Sequence, residues 1–289
     1  MEKTETGKFA GSLQLTIKDE LTGLDFPVLV HYPTDIPSVK TALGPYTADL
    51  STDAPVAAGN YPLVVISHGS GGSHLVYRTI STFLACNNYI VAIPEHPGNN
   101  RNNNELENTN ENLRNRPRHI SLTIDAVLSD PRFSSNLKPG KIALAGHSYG
   151  GYTALAAAGG IPHTRNRELI ETSQDQRVKA LVLLAPAAAF FFSDNALSRI
   201  NVPVLLMMAE HDPYTPIWNA DIIIKGVPDP CKVDYRIIKN AGHFCFLSPF
   251  PENMKKPGFL PATDPEGFDR EQFHKELPLI ILSFLEDQL

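Results

Sequence analysis

The residues with the clearest chemical potential lie in Gly146-His147-Ser148-Tyr149-Gly150-Gly151. An apolar, β-prone run, Lys141–Ala145, leads into this Gly-x-Ser-x-Gly pattern, and the helix-favouring Tyr152–Ala158 follows it. A serine on a sharp strand-to-helix turn projects its hydroxyl beyond the edge of the sheet. Side chains two positions before and after it would strike the crossing strand and helix, so glycine is required at both. A serine hydroxyl becomes a useful nucleophile only when a base takes its proton and an acid orients that base. Ser148 is therefore a candidate nucleophile for acyl transfer, provided the chain supplies both partners.

In a strand–turn–helix architecture of this kind the partners follow in the order serine, acid, histidine. His211 and His243 are the histidines between Val178 and the terminal segment. His243 sits in Asn240-Ala241-Gly242-His243-Phe244, a loop directly after the last predicted strand, and is the candidate base. His211 adjoins the better acid candidate. That acid is Asp212, in Glu210-His211-Asp212-Pro213 at the end of the run Val204–Ala209, with Pro213 and Pro216 stiffening the loop. Glu210 is the fallback, and Asp194 and Asp221 are weaker rivals. An oxyanion needs two convergent donors. His68-Gly69-Ser70-Gly71-Gly72 offers the Ser70 N–H, and the residue after the nucleophile offers the Tyr149 N–H. His147, Phe190, Trp218 and Phe244 are candidate pocket walls, although on residue type alone the aromatic residues fill cores more often than they line pockets. The remaining histidines show no ligand spacing and there is no His-Glu-x-x-His, so neither metal nor cofactor is expected.

The elements that must position these groups alternate in type. Leu13–Lys18 and Phe26–His31, separated by Thr22-Gly23, predict an N-terminal antiparallel hairpin. Pro33 to Asn60 reads as a long ordered loop. Strands are predicted at Leu63–Ser67, Tyr89–Ile93, Lys141–Ala145, Ala180–Leu184, Val204–Met208 and Asp234–Ile238. Helices are predicted at Tyr77–Cys86, Ile120–Leu128 and Arg270–Leu285, with Pro278 implying a kink or late start in the last. Repeated strand–helix units imply a mainly parallel sheet with helices on both faces. One domain spanning residues 1–289 is expected. Residues 99–115 form a polar excursion, and segments near 160–176 and 185–198 could cover a pocket. The last of these contains Ala187–Phe192, readable equally as a buried helix start or a pocket wall.

The composition narrows the function classes. The chain has 289 residues and a net charge of −6, with no block of basic residues to bind nucleic acid or anionic lipid. No apolar stretch is long enough to span a membrane. Met1–Ser12 is polar and lacks the apolar centre of a secretory signal, which makes a cytoplasmic location the expectation, unless such a signal has been removed. Cys86, Cys231 and Cys245 fit no metal or redox spacing; a Cys231–Cys245 bridge is conceivable.

With Tyr61-Pro62-Leu63-Val64-Val65-Ile66-Ser67-His68-Gly69, the Gly146–Gly151 motif and Ala241-Gly242-His243-Phe244 in place, the chain resembles the α/β-hydrolase superfamily. Within it the chain looks similar to the dienelactone-hydrolase-like and platelet-activating-factor-acetylhydrolase-like esterases. Glu95-His96-Pro97-Gly98 and Arg116-Pro117-Arg118 carry the resemblance further. Dienelactone hydrolases look to have cysteine where this chain has Ser148. The resemblance implies an α/β-hydrolase fold with Ser148, Asp212 and His243 as triad, and metal-free ester hydrolysis; a small-molecule ester with a short acyl chain is expected as substrate because the sequence shows no long apolar lid segment. A thioesterase, amidase or polyester hydrolase could use the same triad, and a non-catalytic binding protein is the rival from a different class.

Overall fold

The computed structural model describes residues 7–289, so residues 1–6 of the polar N-terminal stretch lie outside the described residues. Strands Phe9–Asp19 (β1) and Leu24–Thr34 (β2) form the expected hairpin, paired antiparallel from Phe9↔Thr34 to Asp19↔Leu24. The segment after it is not the loop expected from its composition. Val39–Leu43 (β3) and Tyr46–Thr52 (β4) make a second antiparallel hairpin, turned by Gly44 at φ 59°, and β4 runs parallel to β1. This hairpin forms the outer edge of the sheet, and only Tyr46, Leu50 and Ser51 of its two strands are buried. A strand pair so exposed needs little apolar patterning, which is why Pro33–Asn60 carries no strand signal.

The six predicted strands are present as Tyr61–Ser67 (β5), Ile90–Pro94 (β6), Leu137–His147 (β7), Val178–Leu184 (β8), Val204–Ala209 (β9) and Val233–Ile238 (β10). The ten strands lie in the order β10-β9-β8-β7-β5-β6-β2-β1-β4-β3. From β10 to β6 every pairing is parallel, and β2 joins β6 antiparallel. Both faces of the central strands are covered. Leu63 and Val65 of β5 pack with residues of the helices Asn110–Ser129 (α2), Tyr149–Ala157 (α3) and Trp218–Gly226 (α4). Val64 and Ile66, on the other face, pack with Arg78–Cys86 (α1) and Arg270–Gln288 (α5). That two-sided burial produces the continuous apolar run of β5, since every second residue must be apolar on each face.

Three helices differ from expectation, α4 lying where no helix is predicted. α2 begins at Asn110, ten residues before the predicted start, because the Thr109 side chain accepts the Asn112 N–H at 3.1 Å and caps it. The end of the 99–115 excursion is thus helix, and Pro117 lies inside it. A proline cannot donate to the carbonyl four residues back, and here the Tyr152 hydroxyl donates to that Leu113 carbonyl instead, at 3.0 Å. α5 starts without delay at Arg270, where the Asp269 carboxylate accepts the Gln272 N–H at 2.9 Å, and it carries Pro278 within its length. Cys245 is buried, Cys231 is exposed, and the two are not bridged. Among the described residues no helix is long and apolar enough to cross a membrane.

Candidate active site

The parallel strands deliver their C-terminal ends to one edge, where ligands bind in open α/β sheets. β5 feeds residues 68–73, β7 feeds Ser148, β9 feeds Glu210–Thr215 and β10 feeds Asn240–His243. Ser148 lies between β7 and α3 at φ 57° and ψ −120°, a conformation that L residues rarely hold. Its amide donates to the Leu184 carbonyl at 3.0 Å, and its own carbonyl accepts the Gly151 and Ala187 amides at 2.9 and 2.8 Å. The flanking glycines are required by distance. A Cβ on Gly146 would stand 2.1 Å from the Gly150 carbonyl oxygen, and one on Gly150 would stand 1.9 Å from the Ser67 carbonyl oxygen.

His243 Nδ1 donates to Asp212 Oδ2 at 2.6 Å, which leaves Nε2 as the ring atom available to take a proton. Asp212 is buried and receives further donors: the Tyr214 and Thr215 amides reach Oδ1 at 2.8 and 2.9 Å, and the Thr215 hydroxyl lies 2.8 Å from Oδ2. Burial opposes its charge, but the His243 hydrogen bond and the Thr215 donors outweigh burial and hold the carboxyl below the usual aspartate range. The other acid candidates stand elsewhere. Glu210 pairs with Lys239 at 2.8 Å and accepts the Asn240 amide at 2.9 Å, joining the ends of β9 and β10. Asp194 and Asp221 are exposed.

A cavity of about 370 Å³ opens over these groups, lined by Ser148 and His243 together with Gly69 and Ser70. No hydrogen bond joins Ser148 to His243 among the described residues, a common state before substrate tightens the site. The Ser70 and Tyr149 amides likewise have no acceptor among the described residues. Gly69 runs close beside Ser148, its notional Cβ 3.4 Å from Ser148 Cβ, which brings the Ser70 loop against the strand-to-helix turn.

The candidate pocket residues divide. His147 and Phe244 line the cavity; Phe190 and Trp218 do not. Phe190 packs on Tyr149 and Tyr152, with ring centroids 5.8 and 4.9 Å away, and Trp218 is about half exposed at the start of α4. No described residue of 160–176 or 185–198 lines the cavity. Residues 160–176 lie against the C-terminal end of α3, where Ile161 bonds Ala196 and Asp175 bonds Ala157, and 185–198 runs to that end from Ser148, whose carbonyl accepts the Ala187 amide. The walls come instead from Tyr46 of the edge hairpin, from Tyr214, and from the stretch before α5 through Leu247, Phe250 and Phe259. Arg101 and Glu107 of the polar excursion reach the rim.

His147 does more than line the cavity. Its Nε2 donates to the His243 carbonyl at 3.0 Å, so Nδ1 accepts the Tyr77 hydroxyl at 3.3 Å, and that hydroxyl accepts the Gly69 amide at 3.3 Å. This chain of bonds ties the His243 loop, the turn at Ser148 and the Gly69–Ser70 loop together. Burial, with the His243 charge next, pushes His147 down to about 3, so the ring is neutral near pH 7. Thr215 and Tyr77 were missed in the sequence. Asp212-Pro213-Tyr214-Thr215 contains a detectable signal, since aspartate commonly accepts the amides two and three residues on. Tyr77 has none, its partner lying 70 positions away.

The platelet-activating factor acetylhydrolase of Bos taurus is 26% identical over 215 residues, 59% of this chain and 45% of that protein. The enzyme of the same name from Cavia porcellus is 24% identical over 214 residues, 60% of this chain and 46% of its own length. The match thus spans less than half of these relatives. Among solved structures, a ferulic acid esterase from Streptomyces cinnamoneus superposes with a TM-score of 0.71 at 18% identity, covering 99% of this chain and 91% of its own. At that identity the likeness shows the α/β-hydrolase fold alone. A family model described as Chlorophyllase matches residues 31–188, from β2 through the Gly69–Ser70 loop and Ser148 to just beyond β8. That span is more than half of the chain, and the chain belongs to the chlorophyllase family of α/β-hydrolases.

Proposed function

We propose that the protein is a serine hydrolase of carboxylic esters with short acyl chains, working through an acyl-enzyme. His243 Nε2 takes the Ser148 proton as Oγ attacks the ester carbonyl. The Ser70 and Tyr149 amides receive the oxyanion, and His243 returns the proton to the departing alcohol. The second half repeats these steps with water as nucleophile, while Asp212 holds the imidazole in the tautomer that leaves Nε2 free. The carrying observation is the 2.6 Å contact between His243 and Asp212 beside a serine at φ 57° that lines the same cavity. A cavity near 370 Å³ is at the small end for ligand sites, which favours a short acyl group. The name of the acetylhydrolase relatives, which denotes removal of an acetyl group, points the same way.

The test is hydrolysis of p-nitrophenyl esters from acetate to decanoate by the wild type and Ser148→Ala. The expected outcome is a rate that peaks at short chains and drops at least about 10³-fold in the variant. Equal rates in the two proteins would remove Ser148 from the chemistry.

A further inference from the structure

Behind the oxyanion loop lies a charge that the mechanism has not used. Arg116 of α2 is fully buried, and among the described residues no carboxylate pairs with it. Its partners are all neutral: Nε donates to Thr153 Oγ1 at 3.0 Å, Nη1 to Asn99 Oδ1 at 2.5 Å, and Nη2 to Ser67 Oγ at 3.3 Å and to the His68 carbonyl. The Tyr149 ring centroid lies 5.0 Å from its Cζ. Burying an unpaired cation is costly, and these contacts converge on the segments that carry the oxyanion donors and the nucleophile.

The direction of each hydrogen bond is forced. An arginine only donates, so Asn99 must turn its oxygen toward Arg116 and its NH2 group the other way. That NH2 group donates to Ser70 Oγ at 2.9 Å and to Asn104 Oδ1 at 2.6 Å. Ser70 Oγ is therefore an acceptor from Asn99, and its own proton has no acceptor among the described residues. Ser70 is exposed to the cavity it shares with Ser148.

We propose that Arg116 and Asn99 form a one-way donor relay that makes the Ser70 hydroxyl a third donor to the substrate's carbonyl oxygen. Arg116 and Asn99 are positioning residues; the Ser70 hydroxyl touches the reacting atoms. As Ser148 Oγ bonds to the carbonyl carbon, the π pair moves to the oxygen, which the Ser70 hydroxyl meets beside the two amides. The relay rests on the serine-hydrolase reading and adds a side-chain donor to it.

The experiment is a double-mutant cycle on p-nitrophenyl acetate with wild type, Ser70→Ala, Asn99→Ala and the double variant, plus Ser70→Thr. Folding of each is checked by thermal unfolding. Ser70→Ala keeps the amide and removes only the hydroxyl, and should lower kcat about ten- to hundred-fold while KM changes by less than about two-fold. Asn99→Ala should lower kcat by less, the double variant by no more than Ser70→Ala alone, and Ser70→Thr should recover most of the rate. A Ser70→Ala kcat within about two-fold of wild type would overturn the proposal, as would losses in the double variant that simply multiply. If Asn99→Ala does not fold, the Ser70→Ala and Ser70→Thr pair decides the hydroxyl's role on its own. Failure of the serine-hydrolase reading shows differently, as activity retained by Ser148→Ala.

Discussion

A carboxylate buried as deeply as Asp212 keeps its charge because hydrogen-bond donors reach both of its oxygens. The Tyr214 and Thr215 amides take one oxygen, and His243 with the Thr215 hydroxyl take the other. Glu210, two residues earlier, is held by Lys239 at the surface and makes no contact with His243. The two acids therefore make opposite predictions. Asp212→Asn should lower kcat on p-nitrophenyl acetate by about 10³- to 10⁴-fold, because an amide stabilises the wrong imidazole tautomer. Glu210→Gln should leave kcat within about two-fold. Steady-state kinetics of the two variants measures both, and a reversal would move the acid role to Glu210. Ser148, Asp212 and His243 are legible in the sequence because each sits in a short local pattern at a strand end. Arg116 is not legible as part of the site. Its contact with the His68 carbonyl bridges 48 positions, and its triplet with Pro117 and Arg118 reads as a boundary ahead of a helix.

At the scale of the elements, the apolar strands and the amphipathic helices were readable because their burial leaves a period in the sequence, whereas β3 and β4 had to be seen. Their exposure removes the period, yet β4 brings Tyr46 to the cavity, where it packs on Phe250 with centroids 5.9 Å apart. α2 was hidden in its first half for a different reason: Pro117 suggests a start where the chain is already in mid-helix. The compensation is the Tyr152 hydroxyl on the Leu113 carbonyl. Tyr152→Phe should leave that buried carbonyl without a donor and cost about 1–2 kcal/mol in urea unfolding. Pro117→Ala restores an N–H four residues on, so the double variant should lose less than the single changes added together. Strict additivity would mean that the tyrosine hydroxyl does not replace the missing helical bond.

The whole molecule carries an unusual load of buried, uncharged imidazole. Burial pushes His31, His119 and His147 down to about 3 and His274 to about 4, and it holds His68 and His96 well below the ordinary histidine range. These rings serve as hydrogen-bonding spacers between elements: His31 Nδ1 meets Ser81 Oγ at 2.8 Å, and His274 Nε2 meets the Cys245 carbonyl at 2.8 Å. In the unfolded chain each would protonate near pH 6.5, so as pH falls below that value the unfolded state binds protons that the folded state refuses. Stability then rises with pH across the window from about 3 to 6.5 and is fully present above it, each such histidine steepening the slope by about 1.4 kcal/mol per pH unit within its own interval. Between pH 7 and pH 5 the urea midpoint should therefore drop sharply, well before most carboxylates titrate. His31→Asn should flatten that slope near pH 5 by about 1.4 kcal/mol per unit, whatever its offset at pH 7. An unchanged slope would show that His31 binds its proton equally in both states, and a flat wild-type profile down to pH 5 would show the same of the set. Four of the six rings, His68, His96, His119 and His147, bond around β5 and the loop that follows it, through Ser67 and Tyr77, so the acid limit of the fold and the integrity of the Ser148 site should be lost over the same pH interval.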